Sequence, residues 1–524
     1  MKSKIRAGIA GLSLALLVSA CGGAPAAKEG TATDALPSSI ALEDGFNPDA
    51  HFRWATIALP NSWDPTQSYS GGDLPIYRPV YDRLLDLDQA GQLQSMLATD
   101  WEVADDNSSV TLTLQEGLTF ADGTPFDAEA VKFNLERNAA EGSLLANESG
   151  AFESAEVVDA KTIKIAVSGG LGAYMTALGV RSGIMVSPTA AQSGALEQGP
   201  VGIGAYAVTE FVPGERVEYE KTADYWDADA QNVATMTYSL MIDDQTRYNA
   251  LLSGELDGIY LQPGQIDAAV KEGFNVVSAP ATNFLYIAVN AEKAPFDDEK
   301  ARLAIQYALD REEISQGLFD GHCTPSIQAY PETSVGYSEE VGDGLDIYPH
   351  DPEKAKELLA EAGGAGEIEI QVMTPNITMF TQLAEVVQAQ LDDAGIKVSV
   401  KPVPSAQLSQ EFSIDQSVEA ASLPYVGTPD PHGAMSYLLP GHPYNIGQAA
   451  SQETVDLALE AASPVDPAER KAIYEKVAQS MLDQQPQIIP ICLLHLGSAY
   501  TEDVSNVEQP AFDAPTQRGV AVKN

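Results

Sequence analysis

Residues 368–403 constrain the fold more than any other stretch of this sequence. Ile368, Ile370 and Val372 alternate with polar residues, the period of a half-buried strand. Leu383, Val386, Val387 and Leu391 then recur at helical spacing, and Gly395 ends the stripe. Ile396, Val398 and Val400 alternate again. The order predicts a β-α-β unit, two parallel strands joined by a right-handed crossover. Helices and strands interleave along the rest of the chain, so the fold class expected from the residues is layered, α/β or α+β, with α/β the expected class.

The same chemistry punctuates the rest of the chain. Val110, Leu112 and Leu114 alternate with Thr111 and Thr113 as a strand. Asp122-Gly123-Thr124-Pro125 is a turn, and Asp127 caps a helix through Arg137. Asp351-Pro352 and Asp466-Pro467 each open a helix with an N-cap and a proline in the first turn. Ala355, Leu358, Leu359 and Ala362 supply the stripe of the first of these, which Gly363 stops. Residues 487–496 read as a buried strand. At 524 residues the chain has room for about three domains. Its 29 Lys and Arg stand against 75 Asp and Glu, a net charge of −46, which excludes nucleic-acid backbone binding as its main activity.

Lys2, Lys4 and Arg6 precede a small and apolar run over 7–20, followed by Cys21. The run is short for a spanning helix and suits an export signal. Val18-Ser19-Ala20-Cys21 resembles a bacterial lipoprotein signal, which implies a signal peptide over 1–20, cleavage before Cys21 and a lipidated thiol. Residues 21–50, rich in Gly, Ala, Pro, Ser and acids, are expected to form a flexible tether. The globular part is then expected at the outer face of a membrane, in the periplasmic space. Outside the cytoplasm Cys323 and Cys492 can pair.

Catalytic motifs are missing. The six histidines, His51, His322, His350, His432, His442 and His495, form no HExxH. There is no GxSxG elbow and no GxxxxGK loop. Gly202-Ile203-Gly204-Ala205-Tyr206-Ala207 matches GxGxxA, but residues 208–211 read as strand where a dinucleotide site needs a helix, so the glycines predict a tight turn. The carboxylate pairs Asp86/Asp88 and Asp243/Asp244 read as turns and helix caps. No metal site and no cofactor are expected, and the chain reads as a non-enzyme.

Over residues 52–505 a colinear series of segments resembles solute-binding protein family 5, the extracytoplasmic receptors of peptide/nickel-type ABC importers. The series runs Leu97-Ala98-Thr99-Asp100-Trp101-Glu102, residues 118–126 around Phe120-Ala121-Asp122-Gly123, and Ala130-Val131-Lys132-Phe133-Asn134. It continues with Gly202-Ile203-Gly204, Pro213-Gly214-Glu215, Tyr225-Trp226, Thr246-Arg247-Tyr248-Asn249, Gly254-Glu255-Leu256-Asp257, Pro295-Phe296, residues 304–311 ending in Asp310-Arg311 near the end of a helix, and Asp430-Pro431. The resemblance implies a two-lobed fold like the type II periplasmic binding proteins (cluster C), with an extra inserted domain. Domain I is expected over 51–75, 200–282 and 490–524, domain II over 76–199, and domain III over 283–489. Two crossings near 279–283 and 487–491 form the hinge. The partners implied are a small solute, peptide or peptide-like first, and the permease subunits that receive it; the chain is expected to act as a monomer.

The resemblance also frames the site. In peptide-binding members the segment before Asp-Pro carries a Trp and an Asp that pairs with the peptide's α-ammonium; here Pro424 and Gly427 stand there. Asp430 or Glu419 remain as substitutes, and all four tryptophans (Trp54, Trp63, Trp101, Trp226) precede residue 230. Nickel or another metal chelate (with His432 or His442), an opine or an oligosaccharide are the alternative solutes. The expected ligand contacts are Tyr69, Ser70 and Gly71 on one lobe, Asn283 and Phe284 by the hinge, and Tyr425, Val426, Gly427, Thr428, Asp430, His432 and Tyr437 on the other, with Tyr444 a further aromatic candidate. Two other classes stay open: a secreted cleft hydrolase and a solute-sensing surface protein.

Overall fold

Alternating apolar strands and proline-capped helices assemble around one long sheet. The computed structural model describes residues 36–68, 71–146, 148–363, 368–447, 449–512 and 515–523. Its largest sheet has eleven strands. In spatial order they begin Ile396–Val403, Ile368–Pro375, Ala420–Tyr425, Asn275–Val289 and Ile488–Tyr500. Gly258–Leu261, His51–Thr56, Thr235–Leu240, Arg216–Lys221 and Tyr206–Val212 follow, and Cys323–Pro325 pairs with Ile488–Tyr500 off this path.

The β-α-β unit is present. Ile368–Pro375 pairs in parallel with Ile396–Val403, and helix Thr378–Asp393 buries Leu383, Val387 and Leu391 against them. Asp127, Asp351 and Asp466 each accept backbone N–H groups at the start of their helices. The turn expected at residues 202–207 leads into strand Tyr206–Val212, and both glycines are required by close approach. A Cβ on Gly202 would lie 2.3 Å from the Val80 carbonyl oxygen, and one on Gly204 2.2 Å from the Val80 carbonyl carbon.

Two strands carry the sheet from one half to the other. Residues 275–280 of the first pair with 495–500 of the second, and residues 284–288 pair with 488–493. Between Pro280 and Phe284 the register shifts. On one side lies a core that includes Phe52, Trp54, Tyr219, Tyr238 and Tyr500; on the other two cores cover the opposite faces of the sheet, one around Ile287, Val372 and Val387, the other around Phe284, Tyr286 and Tyr425. A separate four-stranded layer (Ala98–Val103, Ser109–Leu114, Thr162–Val167, Phe152–Asp159) packs with helices Ala128–Asn138 and Leu171–Leu178 around a further core. Cys323 and Cys492 form a disulfide that ties Cys323–Pro325 to the second crossing strand.

One expectation changes. The stretch 36–50 is not tether: Ser39–Ile40 pairs with Val507–Glu508, Asn47 N–H donates to the Val522 carbonyl, and Leu36 and Ile40 pack against cores. Edge pairing uses backbone groups and needs only two apolar side chains, so composition hides it. Asp310 lies near the end of helix Glu299–Ala308, as expected, and also caps the next helix, Arg311–Phe319; Arg311 is buried against the carbonyls of Gln306 and Pro490. The segment 1–35, with Cys21, lies outside the described residues.

Candidate functional site

Nine of the expected contact residues fall at one corner of the sheet. Phe284 and Tyr425 are cross-strand partners, and their rings stack at 4.8 Å. The chain then leaves the sheet. Gly427 N–H donates to Asn283 Oδ1 at 3.1 Å, and a Cβ at 427 would lie 2.1 Å from Thr282 Oγ1, so this approach admits only glycine. Tyr425 Oη and Thr428 Oγ1 are 3.3 Å apart, and Thr428 donates to the Asp430 carbonyl. Tyr437 extends the aromatic wall, lying edge-on to Tyr425 and stacked on Tyr444. Val426 is 73% exposed on the outer side of the loop.

Asp430 is not available to a ligand cation, contrary to expectation. Both its carboxylate oxygens accept from Arg470, at 2.6 and 2.8 Å, and His432 N–H caps one of them. The carboxyl is held below its usual range: burial works against ionisation and is outweighed by the guanidinium. Glu419 is likewise engaged, accepting from Gln371 N–H at 3.0 Å and lying 3.6 Å from Lys293 Nζ. His432 is shifted down, chiefly by burial with Asp430 opposing, and His442 down by burial. Among the described residues no group of three or more His, Cys, Asp or Glu side chains could hold a metal ion. Asp86 pairs with Arg83, Asp88 accepts two backbone N–H groups, and Asp243 caps a helix.

The other expected loop belongs to the opposite half. Tyr69 and Ser70 lie outside the described residues; Gly71 begins the short helix Gly71–Asp73. Its frame was not legible in the sequence. Arg181 donates to the Ser68 carbonyl and lies 3.6 Å from Glu148, and Ser68 Oγ donates to Asp73. Burial raises the carboxyl groups of Asp73 and Glu148 above their ordinary values. Arg137 pairs with Asp64 in the same region. Arg181 stands 113 residues from Ser68 and Arg137 73 residues from Asp64, and no local pattern marks these pairs.

A third region joins distant parts of the chain. At the start of helix Leu171–Leu178, Gly172 N–H donates to the Ser463 carbonyl at 3.1 Å and Ala173 N–H to the Ala462 carbonyl at 3.0 Å. Val465 packs against the core of the four-stranded layer.

The model of the bacterial extracellular solute-binding proteins, family 5 (middle region), matches residues 92–445. The chain belongs to this family. Family 5 members are the extracytoplasmic solute receptors of ABC importers, and that is the class of this chain; the family and the relatives it matches are binding proteins rather than enzymes. The glutathione-binding protein GsiB of Escherichia coli K12 is 28% identical over 469 residues, spanning 86% of this chain and 90% of that protein. Among solved structures, HbpA2 from Haemophilus parasuis superposes with a TM-score of 0.79 at 22% identity, covering 91% of this chain and all of that one. A dipeptide-binding protein from Pseudoalteromonas sp. SM9913, in complex with Met-Leu, gives 0.73 at 23%, covering 90% of this chain and 100% of that one. The likeness shows a two-lobed fold of the type II periplasmic-binding kind. The aromatic corner at 425–437 and the helix that follows Gly71 pack into different cores, and the bonds from Gly172 and Ala173 tie the helix beside the four-stranded layer to residues 462–463.

Proposed function

We propose that this protein captures a peptide or peptide-like solute between its lobes, unaltered, and hands it to a membrane permease while anchored by a lipid on Cys21. The observation that carries the reading is the pair of crossing strands. Among the described residues the halves of the long sheet are joined through Asn275–Val289 and Ile488–Tyr500, and the ladder between these breaks at residues 280–284 opposite 493–495. A broken two-strand ladder is where two rigid cores can rotate with least loss. We place the hinge there, which keeps the first crossing at 279–283 and moves the second a few residues beyond 487–491. The domain limits proposed are those of the sequence reading, with domain I now including 36–50. GsiB's glutathione and the Met-Leu of the Pseudoalteromonas protein support a peptide-like solute.

With Asp430 and Glu419 engaged, the lobe-2 corner offers an aromatic wall and backbone groups, not an ammonium anchor. Solute binding only the folded state stabilises it by mass action, about 2.7 kcal/mol at a hundredfold excess over Kd. Glutathione or dipeptides such as Met-Leu are therefore expected to raise the melting midpoint by several degrees in differential scanning fluorimetry. A panel of peptides, opines, sugars and metal chelates that leaves the midpoint unmoved would overturn capture. The anchor is tested separately: Cys21→Ala is expected to move the protein from the membrane to the soluble fraction, and unchanged fractionation refutes it.

A further inference from the structure

A contact beside the break in the crossing ladder is left unused by capture. His495 lies opposite Pro280, where the pairing stops. Its backbone N–H donates to the His322 carbonyl at 3.1 Å, its Nε2 is 2.7 Å from Thr324 Oγ1, and its ring lies 5.7 Å from the His322 ring. His322 Nε2 is 2.9 Å from Asp267 Oδ1, in helix Ile266–Lys271. The two ends of this last contact are fastened on different sides of the break. Strand Cys323–Pro325, which follows His322, pairs with residues 492–494, and the disulfide to Cys492 holds it in the core around Ile287 and Val372. Helix Ile266–Lys271 packs with Ile259, Val276 and Ala499, in the part of the sheet where 275–280 pairs with 495–500. Rotation at the break therefore acts on the distance between His322 and Asp267.

Charge decides what that contact contributes. Asp267 faces His322 from the helix and His495 faces it from the crossing strand; Asp320 stands two residues before it, and a Cβ on Gly264 would lie 3.9 Å from the Asp320 carboxylate. Burial pushes the His495 imidazole down to about 4, and His322 beside it adds to the shift. His495 therefore stays neutral over about pH 5 to 8, the range in which imidazoles ordinarily change charge. A proton on His322 instead turns its contact with Asp267 from a hydrogen bond into an ion pair and strengthens it. The Asp267 side chain is 66% exposed, so water screens the pair and the effect is a few-fold. We propose that His322 and Asp267 form a proton-operated latch across the hinge: mild acid favours the arrangement of the two halves described here, and rising pH relaxes it. The proposal rests on the hinge placement above. In that arrangement residues 172–173 meet 462–463, so solute is held more tightly in mild acid.

Small-angle X-ray scattering of the solute-free protein at about pH 5.5 and about pH 8 tests the latch without a ligand. The unaltered protein is expected to have the smaller radius of gyration in acid, while His322→Gln and Asp267→Asn keep one radius at both. Asp267→Asn, at an exposed position, carries the test if His322→Gln melts early. An unaltered protein that does not respond to pH, or an Asp267→Asn variant that still does, overturns the latch. Gly172→Val, whose Cβ would meet the Pro464 carbonyl oxygen, separates two kinds of failure. If it expands the protein while pH does not, the latch alone falls; if neither does, the hinge is misplaced and the latch falls with it. Titration calorimetry with Met-Leu adds the link to capture. Over the same rise in pH the unaltered protein should lose about two- to fivefold more affinity than Asp267→Asn, and equal losses count against the latch. If no peptide binds, the peptide reading falls and the scattering alone decides the latch.

Discussion

Replacing Gly172 by valine is expected to hold the two lobes apart. A Cβ at this position would lie 2.0 Å from the Pro464 carbonyl oxygen and 3.1 Å from that of Ala462, both backbone atoms of the opposite lobe. The side chain cannot be accommodated by a rotamer change, so helix Leu171–Leu178 must withdraw. Withdrawal forfeits the bonds from Gly172 and Ala173 to Ser463 and Ala462, worth about 1 kcal/mol each, and the packing of Val465. Within its own lobe the substitution is mild, because valine is a better helix residue than glycine. The melting midpoint without solute should therefore fall by no more than a few degrees. The radius of gyration at saturating solute, measured by small-angle X-ray scattering, should exceed that of the unaltered protein, and solute affinity should fall by about tenfold or more. An unchanged scattering curve and affinity would show that closure does not depend on this contact.

Arg470→Met should cost far more stability than any surface charge. The guanidinium is buried, bonded twice to Asp430 and once to the Ala461 carbonyl, and lies over the Tyr474 ring. Removing it strands a buried carboxylate, which typically costs about 3–5 kcal/mol. Asp430→Leu combined with Arg470→Met removes both charges and should recover most of the loss. The Asp430 carboxyl is held below its unfolded value by Arg470, so its contribution is complete above the ordinary carboxylate range near about 3.9 and disappears as pH falls through the folded value. Thermal melts from neutral to acid pH should show the advantage of the unaltered protein over the double variant shrinking only at the acid end. A constant difference across that range would mean the pair is not ionised as described.

Sequence alone determined the local elements and the fold class. The β-α-β unit at 368–403, the Asp-Pro helix starts at 351 and 466, and the strand expected over 487–496 (found as Ile488–Tyr500) were legible because their periodicity and caps depend on residues a few positions apart. The family resemblance put Asn283, Phe284 and residues 425–437 on the candidate list, and the tertiary structure showed that strand pairing brings them together. Tertiary structure decided which of those groups remain free. Arg470 stands 40 residues from the Asp430 it neutralises, Arg181 113 residues from the Ser68 carbonyl it holds, and Gly172 meets Ser463 across the lobes. Ser39–Ile40 joins the body through backbone bonds to residues near the other end of the chain. Such partnerships are set by how cores pack and lobes close, and a carboxylate or glycine reads the same in sequence whether its partner is water, a solute or a distant arginine.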